Sequence, residues 1–233
     1  MKNLLLPALF CFVALTGAHA QNAQVRTVPA FHAINVGTGI ELALTAGHSQ
    51  RVEVSATTDA YRDRIETTVK DGVLTLRFKK NEDGNRRNER INTALRVAVT
   101  ADELTALTAG SGSSVRTSGD FDAATFQLDI SSGATVKADL ATTTLTVRQS
   151  SGSTADLSGR ATSLDIQSSS GSSFDAADLK IDHARAEASS GSSIQLAVKD
   201  DLVAQASSGG SISYKGSPQL TKRTSSGGSV SGH

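Results

Sequence analysis

The sequence predicts an all-β fold, a single-stranded right-handed parallel β-helix with coils of 18 to 21 residues. Two observations support this prediction. A Ser-Gly turn motif recurs seven times between residues 101 and 233, and apolar residues keep fixed positions relative to each motif. Repeats this short bury their apolar sides only against neighbouring copies, which favours a stack of coils. Parallel crossovers are right-handed in nearly all proteins, and the predicted handedness follows from that rule.

The first twenty residues resemble an export signal. Lys2 provides a positive charge, residues 4–15 form an apolar stretch, and residues 18–20 (AHA) fit a small-x-small cleavage site. We therefore expect cleavage between Ala20 and Gln21, which leaves residues 21–233 as one β-helix domain in the periplasm or at the cell surface. The alternative is a retained N-terminal anchor, although the apolar stretch is short for a membrane span. We expect no transmembrane segment in the mature chain.

The composition narrows the classes of partner. The chain has 23 basic and 23 acidic residues, so no basic footprint indicates a nucleic-acid partner. It contains no Trp, two Tyr and seven Phe, which leaves few aromatic platforms on which sugars or bases could stack. Cys11, the only cysteine, lies within the export signal. The mature protein therefore depends on its hydrogen-bonded ladder and its core rather than on disulfides.

Residues 21–100 are expected to form less regular coils of the same structure. Gly37-Thr38-Gly39 resembles the later turn motif, and residues 58–67 are expected to include one short helical turn. Apolar residues alternate along four stretches, as they do in half-buried strands: 40–44, 52–54, 74–78 and 95–99.

The segment 79–90 is the most polar part of the chain, with Asp83-Gly84-Asn85 near its centre. Such a turn sequence is typical of a solvated loop between two strands. The alternative is a basic patch for an anionic partner, because five of its twelve residues are Lys or Arg.

Residues 101–233 are predicted to form seven regular coils. Their turn glycines are separated by 21, 19, 19, 20, 18 and 18 residues: Gly112, Gly133, Gly152, Gly171, Gly191, Gly209 and Gly227. Three positions after each glycine stands an apolar residue: Val115, Val136, Ala155, Phe174, Ile194, Ile212 and Val230. Five positions before each glycine a second column reads Leu107, Leu128, Val147, Ile166, Ala186, Ala204 and Lys222. Columns of constant character predict that the strands stack in register.

The turn motif has two interpretations. A serine precedes every glycine, and a serine or threonine stands two positions after it. Hydroxyl groups both donate and accept, so we expect the stacked hydroxyls to form hydrogen bonds along the solenoid axis, with the glycine allowing a tight corner. The alternative is a flat hydroxyl face that binds ice, a glycan or another surface.

One outward column is the candidate functional site: Arg116, Lys137, Asp156 and Asp175. Adjacent coils would bring the two carboxylates within about 5 Å of each other, a separation that retaining glycosidases also use. Coils this short leave little chain for the walls of a cleft, so a surface ladder of charges is the alternative. Two further outward pairs of opposite charge are expected on adjacent coils: Asp129 with Arg148, and Asp165 with Arg185.

The last predicted coil differs from the others. Lys222 stands in a column that is otherwise apolar, and terminal repeats of solenoids are commonly atypical. An inward-pointing charge at an edge also discourages further strand pairing. We expect an open end there, through which the protein could form a homo-oligomer.

Several short segments follow one another in an order that is typical of a bacterial family: residues 31–36 (FHAINV), 39–42 (GIEL), 71–76 (DGVLTL), 95–99 (LRVAV) and 110–113 (GSGS). The chain resembles the family described as "putative auto-transporter adhesin, head GIN domain". The resemblance implies a single-stranded right-handed β-helix, an envelope or extracellular location and a role in adhesion. It brings no catalytic residues with it.

The residue patterns indicate no cofactor and no metal site, since the histidines lack ligand-like spacing and phosphate-binding and nucleophile motifs are absent. Our first hypothesis is a non-enzymatic protein with an adhesin-like binding or scaffolding role at the bacterial cell envelope. Its partner would be a glycan or a protein of a cell surface. The alternatives are a polysaccharide-active lyase or glycosidase that uses the acidic column, and a purely structural envelope protein.

Overall fold

The computed structural model describes residues 23–79, 94–119 and 121–233. The predicted export signal, with Ala20 and Gln21 at its cleavage site, lies outside the described residues, as does the polar segment from residue 80 to residue 90. The protein is nearly all β, with 2% helix, and its parallel strands stack as a β-solenoid of about seven turns. The predicted fold class is therefore confirmed.

The described residues form seventeen strands and one helix. The N-terminal elements are β1 (Gln24–Arg26), β2 (Ala33–Val36), β3 (Glu41–Ala46), β4 (Arg51–Ser55), α1 (Asp59–Arg62), β5 (Ile65–Lys70), β6 (Val73–Phe78) and β7 (Arg96–Ala101). The later elements are β8 (Ala106–Ala109), β9 (Ser114–Ser118), β10 (Phe121–Ile130), β11 (Thr135–Gln149), β12 (Thr154–Ser168), β13 (Ser173–Ala188), β14 (Ser193–Ala206), β15 (Ser211–Lys215), β16 (Gln219–Thr224) and β17 (Ser229–Gly232). Helix α1 confirms the short helical turn expected within residues 58–67.

The predicted register of the later coils is confirmed. Strands β8, β10, β11, β12, β13, β14 and β16 pair in parallel, each with the next. The paired residues reproduce the apolar column read from the sequence: Leu107, Leu128, Val147, Ile166, Ala186, Ala204 and Lys222. One coil of chain therefore advances the stack by one strand spacing, about 4.8 Å.

The long strands bend around the solenoid instead of running straight. Strand β12 has 15 residues, and a straight strand of that length would extend for roughly 50 Å at about 3.3 Å per residue. Its coil nevertheless reaches the next Ser-Gly turn after 19 residues, from Gly152 to Gly171. Gly159 lies at one of its bends, with φ +105° and with the Leu140 carbonyl oxygen only 2.2 Å from where a Cβ atom would stand. Only glycine fits a position of this kind.

The core consists of the inward-facing columns. Phe174 is the largest fully buried side chain, with 1% of its surface exposed. It lies in register between Ala155 of the preceding coil and Ile194 of the following one. The small alanine leaves room for the large ring, so the column keeps its volume although its residues vary in size.

The N-terminal third differs from the expected succession of coils. Strand β2 pairs in parallel with β6 on one side and β8 on the other, and β3 likewise lies between β7 and β9. The coil formed by β6 and β7, which comes later in the chain, is therefore outermost in the stack. The coil formed by β2 and β3 lies between it and the coil formed by β8 and β9. The turn between β2 and β3 has the expected geometry, because Thr38 and Gly39 both have positive φ.

Three strands of this third do not join the parallel stack, which corrects the prediction for them. β5 pairs antiparallel with β6, β4 pairs antiparallel with β7, and β1 pairs antiparallel with β4. They cover the backbone groups that the outermost parallel strands would otherwise expose, which protects this end from further strand pairing.

The opposite end is open in the described residues. Strand β16 pairs with β14 alone and all six of its residues are exposed, including Leu220 at 37%. Lys222 takes its predicted register position beside Ala204, but it is exposed because no coil covers it. The predicted homo-oligomer through this end stays a prediction.

The Ser-Gly corner is a two-residue turn in which both residues are left-handed. Serines 111, 132, 151, 170, 190, 208 and 226 have φ between 48° and 57°, and the following glycines have φ between 68° and 78°. At six of the seven corners the backbone N–H after the glycine bonds back across the turn, as Ser113 N does to Gly110 O at 3.1 Å. Positive φ at both central positions is the type I′ geometry, so the serine as well as the glycine adopts an unusual conformation.

The predicted ladder is wrong for the hydroxyls directly before and two positions after the glycines. At the corner, the axial hydrogen bonds come from backbone N–H groups and from buried serine hydroxyls one position after the glycine, as from Ser192 Oγ to Ser168 O at 2.8 Å. Gly152 N donates to Ser170 O of the next coil at 3.0 Å, and every other turn glycine except Gly227 of the last coil repeats this contact. Among the described residues, the serines before the glycines make one side-chain hydrogen bond, from Ser151 to Ser150 within a coil. The hydroxyl one position after the glycine is the one buried, as in Ser172 Oγ, which donates to Ser169 O at 2.7 Å.

Replacing Ser170 with valine is expected to lower the free energy of unfolding by about 1–2 kcal/mol, because a β-branched residue resists the left-handed conformation. Ser170→Asn should leave stability nearly unchanged, since asparagine tolerates this region well. Ser170 is exposed, so neither variant disturbs the core. Thermal unfolding followed by circular dichroism compares the two, and equal midpoints would contradict the left-handed assignment.

Candidate functional site

The predicted site column lies on adjacent coils, as expected. Arg116 pairs in register with Lys137, Lys137 with Asp156, and Asp156 with Asp175. The column continues to Gln195 on the next coil. The structure thus brings together all four residues that the sequence placed there.

The two carboxylates of this column already have partners. Asp156 Oδ2 lies 2.7 Å from Lys137 Nζ, in a pair whose side chains are 48% and 67% exposed. Asp175 Oδ1 accepts a hydrogen bond of 3.0 Å from the backbone N–H of Ala177. An exposed pair of this kind contributes about 0.2–1 kcal/mol to stability. Both groups are open to water, so the arrangement offers charge for surface binding and little enclosure for a reaction.

Arg116 borders a concavity at the N-terminal end of the same face. This concavity, of about 500 Å³, has a shallow floor that includes Ala43 and Ala98, and neither Asp156 nor Asp175 lines it. On its rim, Arg96 Nε lies 3.1 Å from Glu41 Oε2. The depression therefore belongs to the less regular coils and is separate from the pair of carboxylates.

The other outward pairs keep their predicted register without forming ion pairs. Asp129 pairs with Arg148 across adjacent strands, and Asp165 pairs with Arg185. Arg185 instead forms its ion pair with Glu187, two residues along its own strand. Within the described residues, Arg148 has no acidic partner, so its guanidinium remains available to solvent or to a ligand.

A second face carries a feature that the sequence interpretation missed, which we call the axial groove. Its long side chains form one column in register: Thr108, Asp129, Arg148, Gln167, Glu187, Gln205 and Arg223. Two positions further along each strand stands a serine: Ser131, Ser150, Ser169, Ser189, Ser207 and Ser225. Two concavities, of about 400 and 330 Å³, share Glu187 and Ser189 and make the groove continuous along the axis.

The groove follows from the alternation of long and short side chains. Each strand presents a long polar residue and then a serine, since residues two apart share one face. The sequence signal was available, because the column four positions before the glycines is polar in every coil.

Much of the hydrogen-bonding capacity in the axial groove is unused. Asp129 accepts from Gln127 Nε2 at 2.7 Å, and Glu187 binds Arg185. Within the described part of the chain, five side chains of the column form no hydrogen bond or ion pair: Thr108, Arg148, Gln167, Gln205 and Arg223. Each guanidinium group presents five N–H donors, and each amide presents two N–H donors and a carbonyl acceptor.

Comparison with known protein families identifies the family of this chain. The model of the family described as "Putative auto-transporter adhesin, head GIN domain" matches residues 30–218. The chain belongs to this family. The resemblance read from short sequence segments is therefore confirmed, and the match spans both the inserted N-terminal coils and most of the regular coils of this head GIN domain.

Solved structures share the head GIN domain fold. A "putative adhesin" from Bacteroides fragilis NCTC 9343 is 18% identical, with 91% of this chain and 96% of that chain covered and a TM-score of 0.78. A "putative adhesin" from Parabacteroides merdae ATCC 43184 is 16% identical, with coverage of 91% and 95% and a TM-score of 0.67. A "putative lipid binding protein" from Parabacteroides distasonis ATCC 8503 is 15% identical, with coverage of 92% and 98% and a TM-score of 0.65. At these identities the likeness concerns the fold. Among curated proteins, none matches the chain.

Two further properties bear on this head GIN domain protein. Within residues 23–79, 94–119 and 121–233, no helix is long and apolar enough to cross a membrane. The same residues contain no cluster of three or more His, Cys, Asp or Glu side chains that could hold a metal ion.

Proposed function

We propose that the protein is exported and binds or scaffolds at the bacterial cell envelope without catalysing a reaction. In this proposal residues 1–20 are removed between Ala20 and Gln21, and residues 21–233 act as one solenoid domain. The export signal in the sequence supports the first part. Membership of a family named for adhesion supports the second.

The observation that carries the proposal is the regular stack of exposed polar columns. Coils in register place polar side chains at one spacing along two faces of the solenoid. A surface of this kind makes many weak, evenly spaced contacts with an extended partner, and together they give useful affinity. Adhesion needs such a surface, whereas catalysis needs an enclosed site.

We assign no reaction to the Asp156–Asp175 pair. A glycosidase of the retaining type needs one carboxylate as a nucleophile and one as a general acid beside a bound sugar. Here Asp156 is held by Lys137, Asp175 is held by a backbone N–H, and both are open to water. A role as a surface charge ladder accounts for these contacts.

Cell fractionation combined with a binding assay tests this proposal. We expect the native protein in the periplasmic or surface fraction, shortened at its N-terminus. We also expect the purified protein to bind intact cells or isolated envelopes saturably. A cytoplasmic, full-length protein that binds neither preparation would overturn the proposal.

A further inference from the structure

We infer that the axial groove binds a linear, uncharged polysaccharide that lies extended along the solenoid axis. This inference rests on the proposed binding function and adds its site and its ligand class. It concerns the column from Thr108 to Arg223 and the row of serines beside it, and not the column from Arg116 to Asp175.

The shape of the groove selects an extended polymer. Six strand steps separate Thr108 from Arg223, which at about 4.8 Å per step gives a length of roughly 29 Å. The steps lie in line, because each strand pairs in parallel register with the next. Extended β-linked sugar chains advance by a similar length per unit, so successive units would meet equivalent coils.

The chemistry of the groove favours hydroxyl groups as ligands. Arg148, Gln167, Gln205 and Arg223 offer free guanidinium and amide groups, and the serine row adds a hydroxyl on each coil. The guanidinium groups only donate, whereas the amides and the serine hydroxyls both donate and accept, and sugar hydroxyls can serve as the partners of all three groups. Planar amide and guanidinium groups can also contact two neighbouring hydroxyls at once.

The charges of the groove favour a neutral ligand. Asp129 and Glu187 alternate with Arg148 and Arg223 along its length, and Glu187 is already paired with Arg185. A polyanion would be repelled at Asp129, and a polycation would be repelled at Arg148 and Arg223. A glycan without charge meets no such repulsion.

A peptide fits this surface less well. From β11 to β14 the backbone groups of the groove strands bond to the coils above and below, so no edge there is open for an added strand, and among the described residues the one open edge, at β16, lies at the end of the groove. The apolar residues beneath the groove, Ile130, Ala188 and Ala206, are buried and offer no pocket for a side chain.

The lining also predicts how affinity depends on ligand length. The residues that line the two concavities include no aromatic side chain, so the stacking that holds single sugars in other sites does not contribute here. Binding must then accumulate over many coils. We expect long chains to bind at least tenfold more tightly than disaccharides or trisaccharides of the same linkage.

Isothermal titration calorimetry on the purified protein tests the inference with soluble mixed-linkage β-glucan, xylan and galactomannan as neutral probes and polygalacturonate as the anionic probe. We expect at least one neutral probe to bind. The double variant Gln167→Ala/Gln205→Ala should weaken that binding tenfold or more. Gln195→Ala, which removes the same amide from the other face, should change it less than twofold.

Four outcomes of this experiment would overturn the inference. Binding of polygalacturonate alone, binding that the double variant leaves intact, or binding lost equally in Gln195→Ala would overturn the inference. If no neutral probe binds, the groove assignment is also overturned, while saturable binding to envelopes would keep the proposed function. Circular dichroism and thermal midpoints confirm that the surface variants remain folded.

Discussion

Replacing Gly159 with alanine is expected to destabilise the protein by more than about 3 kcal/mol. The backbone there has φ +105°, which residues with a Cβ atom avoid, and the added methyl group would lie 2.2 Å from the Leu140 carbonyl oxygen and 2.8 Å from Asp139 Oδ1. The carbonyl belongs to a β-ladder and cannot move without breaking the register between β11 and β12. Chemical denaturation measures the loss.

Gly171→Ala is the matched control for this variant. Gly171 also has positive φ, at +68°, but an added Cβ would meet nothing within 4 Å. Gly171→Ala should therefore lose only about 1–2 kcal/mol of stability, which is the cost of placing alanine in the left-handed backbone conformation. If the two variants lost equal stability, the close approach of adjacent coils at Gly159 would not be the reason for glycine there.

Truncation of Phe174 to alanine is the second large effect, with an expected loss of about 3–5 kcal/mol. The ring is 1% exposed and its column neighbour is already an alanine, Ala155, so the variant leaves two small residues in succession and a cavity between them. Phe174→Leu should cost less, because most of the volume remains. Denaturant midpoints of the two variants give the comparison.

Leu220→Ala provides the contrast within the same kind of column. Leu220 lies on the open last coil and is 37% exposed, so its truncation should cost less than about 1 kcal/mol. A loss as large as that of Phe174→Ala would mean that the last coil is covered in solution. Such a result would support an oligomer formed through that end.

The regular coils could be predicted from the sequence because one signal repeats in them. Columns of apolar residues fix the register, and a slip by one residue would turn every apolar side chain outward. Seven copies of the motif make the alignment unambiguous even where single positions depart from the pattern, as Lys222 does.

The order of the N-terminal coils could not be predicted in the same way. Leu74, Ile34 and Leu107 lie in one column of adjacent strands, and each would fit any position of that column. Nothing in the chemistry of these three side chains indicates that β2 is inserted between β6 and β8. The antiparallel strands were missed for a related reason, since β4 and β5 alternate like their parallel neighbours.

The conformation of the Ser-Gly corner and the axial groove could not be predicted from the sequence for a different reason. A glycine in a turn motif indicates a left-handed backbone conformation, but nothing in the side chain of a serine indicates that its φ is positive. The groove can be recognised only when residues in register on adjacent coils are compared. When its strand is considered alone, a charged residue such as Arg148 is interpreted as an ordinary solvated side chain. The four residues predicted as a site were placed together correctly, and their role stays a prediction.

The most direct test of the central claim, binding without catalysis, incubates the purified protein with soluble polysaccharides and isolated envelopes and measures retained protein and released sugar ends in the same samples. We expect saturable retention and no product above the level of a protein-free control. Product that accumulates with time and is lost in Asp156→Asn would show catalysis and place a reaction on the acidic column.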